Sequence, residues 1–255
     1  MIASLSMYDW PQVRAENDRL WALVAGALED EGIAAPADLT RDDSLWEVWQ
    51  SPGLLLGQTC GMPYRTKLHG AVELVATPDY GLPGAPPGHY YSVFVTRKGE
   101  PGEAEDFIDR TLAFNGQDSQ SGWAAPQNQM AKQGLRFTHT RHTGAHRDSA
   151  RAVAAGKADI AAIDAISWRL IEAHHQDIAR KLRVIGHTDP TPGLPLITAK
   201  GRDTAPLARA FTAAIAGLTP ADRAALGLRD LIPIPASAYL AVPTPPPPSQ
   251  DVPVN

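Results

Sequence analysis

The stretch FNGQDSQSGWAAP, residues 114–126, and the stretch HTGAHRDSARAVAAGKADIAAID, residues 142–164, decide how this chain folds. The first closes an apolar run, LAFN, with a Gly/Asp/Ser turn and then resumes apolar residues at helical spacing. The second does the same after LRFTHTRHT: a turn at Thr143 and Gly144, a helix over HRDSARAVAAG, then a short buried strand over KADIAAID and a helix over AISWRLIEAHH. Strands alternating with helices predict an α/β protein with a mostly parallel sheet and helices on its faces.

The same alternation extends in both directions. IASLSMYD reads as a strand, and Val13, Leu20, Trp21, Val24 and Leu28 carry a helix that Gly32 stops. LWEVWQ reads as a short helix, and LLLGQTCG, VELVATPDY and YYSVFVTRKG as strands. KLRVIGHTDPTPGLPLITA carries two strands around a Pro/Gly turn, and APLARAFTAAIAGL is a late amphipathic helix. PTPPPPSQDVPVN has few backbone donors and little to bury, so residues 241–255 read as a disordered tail.

Composition narrows the function. A net charge of −5 with scattered Arg and Lys argues against a nucleic-acid partner. One cysteine, Cys60, forms no internal disulfide and no cysteine-based zinc site. The opening MIASLSMYDWP turns polar too early for an export signal, and no apolar run approaches the roughly 20 residues of a membrane helix.

In α/β sheets, ligands collect at the carboxyl ends of strands, where helix amino ends converge. Ser119 and Ser121 in one turn and His146 in the next fall there, and their hydroxyls, imidazole and neighbouring amides suit an anion. A capped helix explains either turn alone. Ser119 or Ser121 with His146 and Asp164 has the residue types of a hydrolytic triad, but the G-x-S-x-G elbow is absent. His139, His142 and His146 straddle a strand, a loop and a helix start with no Cys or Glu at ligand spacing, so no metal site is expected. Asp164, after the next strand, either caps the following helix or meets ligand. Tyr8, Asp9, Gln58 and Thr59 also end strands, although an aromatic there is more often packing than ligand contact.

SLSMYDWP, DSQSGWAA, GAHRDSARAVAAGKADIAAID and TPGLPLIT, in this order, resemble the phosphate/phosphonate-type substrate-binding proteins of ABC importers, over about residues 2–235. The resemblance implies a two-lobed type 2 periplasmic-binding-protein fold, each lobe a mostly parallel sheet flanked by helices, with ligand in a cleft between the lobes. Lobe one would be discontinuous, 1–91 plus 190–240, and lobe two would be 92–189, with crossings near YYSVFVTR and RVIGHTDPTPG. It further implies a ligand-capturing monomer that consumes nothing, needs no cofactor and delivers a small oxyanion such as phosphate or a phosphonate to a membrane permease; its place is the periplasm by this resemblance, or the cytoplasm if the sequence without an export signal is full length. Ser119, Gln120, Ser121 and His146 match the oxyanion grip of the family, with Gln120 in place of a threonine. Asp164 lies where relatives carry an acid for a ligand ammonium, and Ile166 competes for that position. Tyr8, Asp9, Gln58 and Thr59 would close over the ligand from lobe one. The alternatives are an enzyme on the same fold acting on a small phosphorylated or heterocyclic compound, and a ligand-sensing module.

Overall fold

A computed structural model describes residues 1–41 and 44–248. The chain forms two compact units, 1–89 with 192–241, and 90–191 with 242–248. The helices in chain order are α1 (Arg14–Asp30), α2 (Leu45–Gln50), α3 (Gly61–Pro63), α4 (Ala125–Ala131), α5 (His146–Ala154), α6 (Ala165–His174), α7 (Gln176–Ala179), α8 (Ala205–Gly217), α9 (Pro220–Leu226) and α10 (Ala236–Leu240). Two π-helical turns, Tyr64–Leu68 and Gln120–Ala124, extend α3 and precede α4.

The first unit carries β1 (Ile2–Ser4), β2 (Leu54–Gln58), β3 (Val72–Asp79), β11 (Leu196–Ala199) and β12 (Asp230–Ile232), in the spatial order β1-β2-β11-β3-β12. Each face of this sheet buries its own core. Leu20, Trp21, Val24 and Leu28 of α1 and Leu207, Phe211 and Ile215 of α8 cover one face, and their helical spacing is why those segments are helices. Val48, Trp49, Tyr64, Leu68 and Tyr239 cover the other.

The second unit carries β5 (Ser92–Arg97), β6 (Leu112–Phe114), β7 (Thr140–His142), β8 (Ile160–Asp164) and β9 (Leu182–His187), ordered β7-β6-β8-β5-β9. Ile160–Asp164 is buried throughout, as expected of a central strand covered on both faces. Two short strands, β4 (His89–Tyr90) and β10 (Thr191–Pro192), pair where the chain passes between the units in sequence.

The sheets are mixed, which corrects the expectation of mostly parallel ones. In the first, β1 and β2 run parallel, while β11 is antiparallel to β2 and β3, and β12 is antiparallel to β3. In the second, β6 is parallel to β7 and β8, and β5 is antiparallel to β8 and β9. The cause is the discontinuous chain: the strands that bring it into the second unit and back into the first, β5 and β11, run against the strand–helix–strand core, while the strands by which it leaves, β3 and β9, run with it.

The tail is a second correction. Residues 242–248 belong to the second unit, where Trp123, Asn128 and Arg136 donate hydrogen bonds to their carbonyls. Residues 249–255, the rest of the segment expected to be disordered, lie outside the described residues.

Candidate functional site

The site grows from the amino end of the π turn that follows β6. Ser119 is extended at φ −80° and ψ 125° and caps the turn, its Oγ accepting from the Gly122 amide at 3.0 Å. Ser121 Oγ lies 3.4 Å from Ser119 Oγ, and Ser119, Gln120 and Ser121 are all buried. Ser121 is fixed through its carbonyl, which accepts from Ser92 Oγ at 2.9 Å, and Ser92 is held by Thr188 Oγ1 on its amide at 3.0 Å. Gly122 leaves room for two neighbours: a Cβ there would stand 1.9 Å from Asn115 Oδ1 and 3.3 Å from His146 Cε1.

His146 opens α5. It is placed by Gly144, whose φ of +88° suits a residue without a side chain, and by Thr143, whose hydroxyl is occupied by the Phe114 carbonyl and Ser149 Oγ. His146 Nε2 stands 2.8 Å from Ser121 Oγ and 3.3 Å from Asp164 Oδ2. Asp164 ends β8 and caps α6, its Oδ1 accepting from the Ile166 and Ser167 amides at 3.0 and 2.9 Å. The two readings of Asp164 are therefore not exclusive: one oxygen caps, and the other faces the imidazole beside the serines.

Burial pushes the His146 imidazole below its ordinary value, against the opposing pull of the Asp164 carboxylate and the Ala162 backbone. The ring is thus neutral at pH 7. The carboxylate facing Nε2 assigns the ring proton to that nitrogen, so Ser121 Oγ accepts from it and keeps its own hydrogen to donate. Because the folded value is depressed, the unfolded chain takes up the proton first as pH falls. The histidine's contribution is therefore intact above about 6.5 and declines as pH drops from there towards the folded value. Thermal unfolding at pH 7 and pH 5 checks this: the native protein should lose more of its midpoint between these values than the His146→Asn variant, and equal losses would refute it.

The first-unit candidates divide. Tyr8 packs edge-on to Tyr80 with ring centroids 5.2 Å apart, and Gln58 Nε2 donates to the Tyr80 hydroxyl at 3.3 Å. Thr59, adjacent to Gln58, is fully buried, and its Oγ1 has no hydrogen-bond partner among the described residues. Asp9 points elsewhere in its bonding, accepting from Arg41 Nε at 2.6 Å and from Asn17 Nδ2 at 3.3 Å. Sequence reading missed Tyr80, Ser92, Asn115 and Thr188. Ser92 alone left a signal, a polar residue at the head of the apolar run VFV. Among the described residues no group of three or more His, Cys, Asp or Glu side chains gathers as for a metal ion.

A two-unit α/β body that gathers buried serines, a neutral histidine and strand-end amides is built to hold a small solute. The family model for ABC-transporter phosphonate periplasmic substrate-binding proteins matches residues 56–235, and the chain belongs to that family. It is a solute-binding protein with the two-lobed periplasmic-binding-protein fold. PhnD1 from Prochlorococcus marinus, in complex with methylphosphonate, is 15% identical with a TM-score of 0.69, over 93% of this chain and 94% of that one. The binding-protein component of a Pseudomonas aeruginosa ABC phosphonate transporter is 18% identical with a TM-score of 0.67, over 91% and 80%. A Xanthomonas citri protein bound to chloride is 15% identical with a TM-score of 0.69, over 93% and 92%. No curated protein sequence matches the chain. The family is one of periplasmic proteins, and no helix among the described residues is long and apolar enough to cross a membrane.

Proposed function

We propose that the chain captures a small tetrahedral oxyanion carrying one ionisable O–H, such as a phosphonate monoanion, and releases it unchanged to the permease of an ABC importer. The reading rests on one arrangement: His146 Nε2 serves both Ser121 Oγ and Asp164 Oδ2. A hydrolytic relay needs the hydroxyl and the carboxylate on opposite ring nitrogens, so that the imidazole can accept the serine proton. With both on Nε2, the serine donates outward instead.

Charge defines the ligand further. His146 is neutral and Asp164 supplies a negative charge, so a fully ionised dianion is repelled, while an anion that donates a hydrogen bond to the carboxylate is favoured. Ser119 and Ser121 supply hydroxyl donors. Tyr8, Gln58, Thr59 and Gln120 are proposed as further ligand contacts, the unpartnered Thr59 hydroxyl being the strongest support among them. Asp9 is proposed with them on weaker support, because its carboxylate already accepts from Arg41.

Calorimetry with methylphosphonate, phosphate and sulfate tests the reading, with the recovered ligand analysed by phosphorus NMR. Saturable binding of methylphosphonate that leaves it chemically intact is expected. Turnover of the ligand, or sulfate bound as tightly as methylphosphonate, overturns it.

A further inference from the structure

The proline-rich segment after Ala241 makes a specific set of contacts. Trp123 Nε1 donates to the Pro246 carbonyl at 3.1 Å, Asn128 Nδ2 to the Pro243 carbonyl at 2.8 Å, and Arg136 Nη2 to the Pro247 carbonyl at 3.2 Å. We infer that Trp123, Asn128 and Arg136 form a docking face for a polyproline II segment, that the chain's own tail occupies it, and that its occupancy holds the turn bearing Ser119 and Ser121.

The chemistry of both surfaces supports the match. Residues 244–247 each precede a proline, which excludes the α region and drives them into the extended polyproline II form. That form has no internal hydrogen bonds, and proline has no N–H, so the segment presents carbonyl acceptors and hardly any donors. All three opposing groups are donors. The helix has three residues per turn, so Pro243 and Pro246 present their carbonyls on one side, towards Asn128 and Trp123. The segment is stiff before it docks, which lowers the entropy lost on docking.

The link to the site is Trp123. Its side chain is fully buried, and Pro246 satisfies the indole N–H. Two residues from Ser121, Trp123 donates its amide to the Ser119 carbonyl at 3.2 Å and packs its ring 5.2 Å from Phe114. Without the tail, a buried indole donor loses its partner, and relief comes from movement of the turn that shapes the two hydroxyls.

The coupling to ligand rests on the proposed function, whereas the docking is measurable without ligand. Two proteins are compared with the full chain: one ending at Ala241, and a full-length Asn128→Ala/Arg136→Ala variant that serves if the shortened chain does not fold. In the ligand-free state, indole N–H exchange of Trp123, read by nitrogen-15 NMR, should quicken about tenfold or more on loss of its hydrogen bond. Methylphosphonate affinity should fall by about fivefold or more, the lower range of typical coupling between sites. Unchanged exchange at Trp123 overturns the docking face. Faster exchange with unchanged affinity overturns the coupling. A full-length protein that binds no methylphosphonate refutes the proposed function instead, and the exchange comparison still decides the docking.

Discussion

Asp164→Asn should bind methylphosphonate about tenfold or more weakly than the native protein while keeping its stability, and should narrow the preference for methylphosphonate over sulfate. Asparagine caps a helix as well as aspartate does, so the Ile166 and Ser167 amides remain satisfied. What changes is the oxygen facing His146 Nε2 at 3.3 Å. An amide there is neutral and accepts a ligand proton less strongly than a carboxylate. If its NH2 faces the ring, the imidazole proton moves to Nδ1, Nε2 becomes an acceptor, and Ser121 turns its hydroxyl towards the ring and away from ligand. Both effects weaken a protonated monoanion, and loss of the negative charge favours sulfate. Dimethyl phosphate, a monoanion without an O–H, separates charge from proton donation: it should gain from the substitution where methylphosphonate loses. Unchanged methylphosphonate affinity in Asp164→Asn means that the carboxylate serves the cap alone.

Ser121→Ala removes a hydroxyl that faces Ser119 Oγ and His146 Nε2 within a buried cluster. A hydrogen bond to a charged group contributes about 1.5–3 kcal/mol, so affinity for methylphosphonate should fall roughly 10- to 150-fold. The fold should persist, because Ser121 is anchored through its backbone carbonyl to Ser92 Oγ and the cap at Ser119 is untouched. Calorimetry gives the affinity and thermal unfolding gives the control. Native affinity in a folded Ser121→Ala protein removes the serine from the site.

Much of the second unit was legible because its signals are local. The helix over HRDSARAVAAG, the buried strand Ile160–Asp164 and the helix after it stand where periodicity and capping residues put them. Ser119, Ser121, His146 and Asp164 follow from that, since strand-end turns in one sheet bring their side chains together. Strand direction was not legible: an apolar run reads the same whether its neighbour is parallel or antiparallel, and β5 and β11 pair with strands far from them in sequence, such as Ser92 with Asp164 and Leu196 with Gln58. The surroundings of Asp9 were hidden for a similar reason. It lies beyond the end of β1 at Ser4, its carboxylate accepts from Arg41, and no local pattern joins the two. The tail has little to bury, and its binding partners lie more than a hundred residues earlier, so composition alone suggested disorder.

The place of β11 in the middle of the first sheet, between β2 and β3, sets an order in time. About 115 residues separate the end of β3 at Asp79 from the start of β11 at Leu196. At ribosomal rates of about 5–20 residues per second, the nascent chain spends on the order of 10 s with β2 and β3 made and the strand between them unwritten. Their facing edges lack hydrogen-bond partners for that interval, which is the condition that invites wrong pairing. The second sheet, whose strands run from Ser92 to His187 without interruption by the first unit, is complete before the first receives its central strand. Birth order thus inverts chain order: the unit that begins first finishes last, and early aggregation of this protein should start from β2 and β3.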